Sequence, residues 1–158
     1  MKILVTGLES SCTKIVSKIF SDNLKIDGYE KYNGVMRISD DKNLVSHMSL
    51  PSGQRTFFYI PKIKDWDIIT IATRDYNCSL KSKINNHQPI VKNAIAEHDN
   101  GAYILSEMIK FDNVHVFSYE SWFLLGDLYV KKFLNQFNID YSKKINPENV
   151  NKKYMKDF

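Results

Sequence analysis

The 158-residue length suits one domain with its own core, and 43% hydrophobic with 13% aromatic residues describes a folded globule rather than a disordered chain. A formal charge of +4 favours anionic ligands but falls short of the dense basic surface that nucleic-acid binding requires. Cys12 and Cys78 lie outside any CxxC or Cys/His pattern, which argues against zinc and for reduced thiols; with no apolar run of spanning length and no leader at MKILVTGLESS, a soluble cytoplasmic protein is expected.

In chain order, Ile3-Leu4-Val5 within residues 2–6 predicts a buried strand, ended by Gly7. Residues 13–20 read as a helix with Ile15, Val16, Ile19 and Phe20 on one face and Ser10, Ser11 or Thr13 as caps. Loops and a weak strand at 35–38 follow, then a strand at 43–49 and another at 57–60. The β-branched run at 67–73 is the clearest strand. A short helix is expected at 76–84. A longer one is expected from Pro89, in its first turn, to about Lys110, with Gly101 inside it. Residues 114–118 predict a strand, and 120–137 one amphipathic helix carrying Trp122, Leu125, Tyr129, Phe133, Leu134 and Phe137. Residues 141–158, rich in lysine, are expected to form a basic tail or lid beyond a domain spanning 1–140. Strands alternating with helices predict an α/β fold of three layers, with a mostly parallel central sheet and helices on both faces. Ligands in such sheets bind at the carboxyl ends of the strands.

Two turns fall at such ends. The first is Gly7-Leu8-Glu9-Ser10-Ser11-Cys12-Thr13-Lys14. A strand-to-helix turn exposes backbone N–H groups, the helix adds positive potential, and Ser, Thr and Lys add donors and charge; together these can cradle a phosphate. The run departs from G-x-x-x-x-G-K-[ST], with Cys12 at the second glycine and Thr13-Lys14 in reversed order. Cys12 at a helix start is also a possible nucleophile, although Lys18 stands where a phosphatase-type loop wants arginine. The second turn starts at Arg74, whose guanidinium suits phosphate, with Ser82 eight residues on.

This ordered set resembles the sulfotransferases that use 3′-phosphoadenosine-5′-phosphosulfate. Ser11-Cys12-Thr13-Lys14 stands at the family's P-[KR]-S-G-T-[ST] loop, and Arg74 with Ser82 has its Arg–Ser spacing. His47-Met48-Ser49-Leu50-Pro51 is similar to the segment around T-H-L-P, and Val116-Phe117-Ser118-Tyr119-Glu120 to a strand ending in Tyr-Glu. Ser10 replaces the family's Lys or Arg, and Cys12 its glycine.

The resemblance implies a P-loop-type fold in which Glu9, Ser10, Ser11, Cys12, Thr13 and Lys14 surround the 5′-phosphosulfate, while Arg74 and Ser82 hold the 3′-phosphate. It implies sulfuryl transfer to a small-molecule or glycan hydroxyl or amine, leaving adenosine 3′,5′-bisphosphate, with no metal required. His47 would be the general base, with Glu9 and Asp75 as alternatives, and Lys14 would stabilise the leaving oxygen; Ser49 aligns with the family's His. A P-loop kinase, with Asp75 as its magnesium carboxylate, and a non-catalytic nucleotide-binding or structural domain are the alternatives. His87, His98 and His115 are read as loop, helix-face and strand residues. Oligomeric state stays open.

Overall fold

Strand β1 (Lys2–Leu8) forms the centre of the sheet because its side chains are buried on both faces. The computed structural model describes residues 1–26, 30–32, 35–50, 62–147 and 151, with the backbone alone for 30–32 and 35–38. Helix α1 (Thr13–Leu24) follows, then β2 (Glu30–Tyr32), β3 (Val35–Ser39) and β4 (Leu44–Leu50). A 3-10 turn at Ile63–Asp65 precedes β5 (Ile68–Thr73), α2 (Tyr76–Asn86), α3 (Val91–Met108), β6 (Val114–Ser118), α4 (Tyr119–Leu125) and α5 (Asp127–Asn135).

The sheet order is β2-β3-β4-β1-β5-β6. β4, β1, β5 and β6 are mutually parallel, and β3 and β2 continue the sheet antiparallel. Alternate residues divide the core. Ile3, Val5, Val45, Ala72 and Phe117 face α1, α4 and α5, meeting Val16, Phe20, Trp122 and Phe133. Leu4, Met48, Leu50, Ile69 and Ile71 face α3, meeting Ile104, Leu105 and Met108. This is a three-layer α/β fold with a mostly parallel central sheet, consistent with a P-loop-like architecture.

Several sequence expectations need correction. Pro89 precedes α3 instead of entering its first turn, and Ile90 is the N-cap residue. Residues 120–137 do not form one helix: Gly126, at φ 56° and ψ −135°, separates α4 from α5. That break turns Leu125 outward to 56% exposure, while Trp122, Phe133 and Leu134 stay buried. Helix α1 is not capped by Ser10, Ser11 or Thr13; its N-cap residue is Cys12, which makes no side-chain cap bond. His98 lies on α3, as expected, on its inner face and fully buried, with Nε2 2.9 Å from Ser79 Oγ. The expected strand at 57–60 and most of the expected tail lie outside the described residues. Where described, the tail is folded onto the body: the Ser142 and Lys143 amides donate to Asn23 Oδ1, the Tyr141 hydroxyl donates to Asp127, and Asn151 is buried.

Candidate functional site

β1 and β5 are neighbours, yet the chain leaves them in opposite directions. From β1 it passes through α1 towards the β4 side, and from β5 through α2 and α3 on the other face towards β6. The carboxyl ends of β1 and β5 therefore flank a topological switch point, where open α/β sheets bind ligands. The loop after β1 and Arg74 both stand there.

The loop is tightly constrained. A Cβ on Gly7 would lie 2.4 Å from the Ala72 carbonyl oxygen and 2.5 Å from Ser11 Oγ, so only glycine fits between β1 and β5. Leu8 to Ser11 form a turn closed by Ser11 N–H donating to the Leu8 carbonyl at 3.0 Å. Ser10, at the third place, has φ 69°, the left-handed conformation that type II turns reserve for glycine or asparagine. Cys12 follows at φ 65°, so it adopts the backbone a glycine would have there. Such strained positions cost about 1–3 kcal/mol each and persist only where the surroundings fix them.

What the loop offers an anion is narrower than its sequence implies. The Glu9 amide donates to the Leu50 carbonyl and the Ser11 amide to Leu8. Ser11 Oγ also donates to Leu8. The first-turn amides of Thr13 and Lys14 have no intrahelical acceptor, as at any helix start, and they carry the positive end of α1. Burial pushes the Cys12 thiol up to about 12, Arg74 lowering and Glu120 raising it further, which opposes a nucleophilic role.

Beside the loop, three sequence-predicted residues come together. Val45, His47 and Ser49 alternate onto the α1 face of β4. Thr13 Oγ1 lies 2.6 Å from His47 Nε2 and 3.1 Å from Ser49 Oγ, and Ser49 Oγ is 3.4 Å from His47 Nε2. The Thr13 hydroxyl is thus turned into the sheet. Burial, and then the nearby positive Lys14, bring His47 down to about 4, so its imidazole is neutral near pH 7. Lys14 itself is exposed.

On the other side, Arg74 Nη1 donates to the Ser10 carbonyl at 3.0 Å and Nε to Asn151 Oδ1 at 2.5 Å. Asp75 is the N-cap of α2, accepting from Cys78 N–H at 2.8 Å, so its carboxylate is already engaged. Ser82 is buried on α2, where Asn86 donates to both its carbonyl and its hydroxyl. It is not bonded to Arg74.

Two site residues escaped the sequence reading. Lys83 is fully buried, its Nζ 2.7 Å from Glu97 and 3.5 Å from Glu9. It lies nearer Glu97 than Glu9, so it offsets only part of the negative charge that the loop's carboxylate presents to an anion. His87 Nδ1 is 3.8 Å from Glu9. Asn151, near the chain end, reaches Arg74. Neither position carries a signal in sequence, because both contacts depend on segments distant along the chain.

No protein-family model, curated protein or solved structure matches the chain. Among the described residues, no helix is long and apolar enough to cross a membrane.

Proposed function

We propose that the chain is a sulfotransferase-like domain that binds 3′-phosphoadenosine-5′-phosphosulfate at the switch point between β1 and β5 and passes its sulfuryl group to an acceptor hydroxyl or amine. One observation carries this reading: the Arg74 guanidinium, from the carboxyl end of β5, lies against the loop after β1. A fixed cation beside a strained strand-to-helix loop is a place for phosphate.

The nucleotide supplies the sulfuryl group. The chain's part is to orient and to balance charge. The start of α1 and Arg74 would hold the anionic groups. Lys83, shared between Glu97 and Glu9, reduces the repulsion that Glu9 would exert on them. Lys14 is exposed and close enough to His47 to act on its charge, which suits a cation answering negative charge on a leaving oxygen. His47, neutral near pH 7, would take the acceptor's proton.

A second reading, nucleotide binding without transfer, is favoured by the closed bonding around His47. Nε2 is engaged by Thr13, and Nδ1 is buried without a partner among the described residues, so neither nitrogen faces an acceptor.

Calorimetric titration with adenosine 3′,5′-bisphosphate tests the binding. Saturable binding by the wild type, weakened at least tenfold by Arg74→Ala, is expected. Binding of magnesium-ATP in preference to the bisphosphate would overturn it in favour of a kinase. Sulfuryl transfer lost in His47→Ala with binding retained supports catalysis; absence of transfer in the wild type supports the second reading.

A further inference from the structure

Asn151 is far along the chain from β5, yet its residue is only 7% exposed and both ends of its amide are matched. Oδ1 accepts from Arg74 Nε at 2.5 Å, and Nδ2 donates to Glu120 Oε1 at 3.0 Å. The same Glu120 oxygen accepts the Asp75 backbone N–H at 2.8 Å. Arg74 meanwhile donates through Nη1 to Ser10 and lies over the Tyr119 ring, with Cζ 5.9 Å from the centroid.

An amide thus sits between a carboxylate and a guanidinium. Those two charges form a strong direct pair whenever they can meet. Paired with Glu120, Arg74 would have its charge offset and its guanidinium drawn away from Ser10. Asparagine answers both charges at once, accepting from the cation and donating to the anion. Aspartate, of the same shape, would set a second carboxylate against Glu120 and add negative charge beside Arg74.

We propose that Asn151 is a positioning residue of the anion site, holding Arg74 off Glu120 and against the loop after β1. Asn151 is then part of the site instead of a solvated residue. The inference rests on the reading that Arg74 binds a nucleotide phosphate, and Asn151 acts through Arg74 without touching the ligand.

The test uses the full-length chain and two readouts: calorimetric titration with adenosine 3′,5′-bisphosphate, and the Nε–H resonance of Arg74 in proton–nitrogen spectra without ligand. Asn151→Ala should weaken binding about tenfold, and Asn151→Asp by more. Adding Glu120→Gln to Asn151→Ala should recover most of the affinity, because the competing carboxylate is gone. A purely structural Asn151 would give no such rescue. The Arg74 Nε–H resonance should shift in both single variants. Should Asn151→Ala fail to fold, the isosteric Asn151→Asp carries the comparison. Unchanged affinity in the single variants overturns the inference while leaving nucleotide binding intact. If the wild type does not bind the bisphosphate, the functional reading fails, and the resonance decides for Asn151: a shift supports positioning of Arg74, and no shift overturns it.

Discussion

Thr13 and His47 are joined across 2.6 Å, from Thr13 Oγ1 to the imidazole Nε2. The first residue of α1 is thereby fixed to the strand beside β1, and the loop between β1 and α1 is held at its far end. The same bond engages the imidazole and keeps it in the interior.

Acid sensitivity follows from that burial. His47 and His98 are both brought down to about 4, each mainly by burial, with Lys14 and Lys83 as the respective next causes. A depressed histidine pKa means the folded state binds fewer protons than the unfolded chain, whose histidines titrate near 6.5. The stabilisation is present above about pH 6.5 and is lost as pH falls towards 4. Thermal melts at constant ionic strength should show Tm falling from pH 7 to pH 4.5. His98→Gln should flatten that slope, and a Tm independent of pH in this window would refute the claim.

Two glycines predict opposite outcomes. Gly7→Ala drives a methyl against the backbone oxygen of Ala72, which cannot yield without separating β1 from β5. It should cost about 3 kcal/mol or more in urea unfolding. Gly101→Ala in α3 meets Leu8 Cδ2 at 2.8 Å, the end of a flexible side chain. Alanine's helix preference of about 1 kcal/mol offsets that contact, so the change should stay within ~1 kcal/mol of wild type.

Lys83 holds together α2, α3 and the loop after β1. Lys83→Met should destabilise by roughly 3 kcal/mol, because it leaves Glu97 and Glu9 without their cation. Adding Glu97→Gln should recover part of the loss in urea melts. No recovery would show that packing of the lysine stem, not charge, sets the effect.

Left-handed backbone at side-chain-bearing residues leaves stability to gain. Lys25 ends α1 at φ 57° and ψ 40°, a position where helices prefer glycine. Lys25→Gly should stabilise by about 1 kcal/mol. Ser10→Gly should act in the same direction, and a marked loss of stability in either would refute the backbone assignment.

The break at Gly126 separates two residues that one continuous helix would have placed alike. Trp122→Ala should cost about 3–5 kcal/mol, as a buried aromatic does. Leu125→Lys should change stability by no more than about 0.5 kcal/mol, since the side chain is exposed.

The sequence by itself determined the layered α/β architecture. Apolar runs such as Ile68 to Ala72 are buried strands whatever surrounds them, and the spacing of Val16, Ile19 and Phe20 commits α1 to one face. It also placed the loop after β1 and Arg74 at strand ends, because hydrophobic runs end where the sheet does. The meeting of Thr13, His47 and Ser49 required more: strand alternation puts His47 and Ser49 on one face of β4, but only the parallel pairing of β4 with β1 brings that face to α1. Where Arg74 points, which cation lies beside Glu9 and where Asn151 lands were decided by tertiary structure alone. Those contacts join residues 64 to 77 positions apart, and polar side chains show no periodicity from which such pairings can be read.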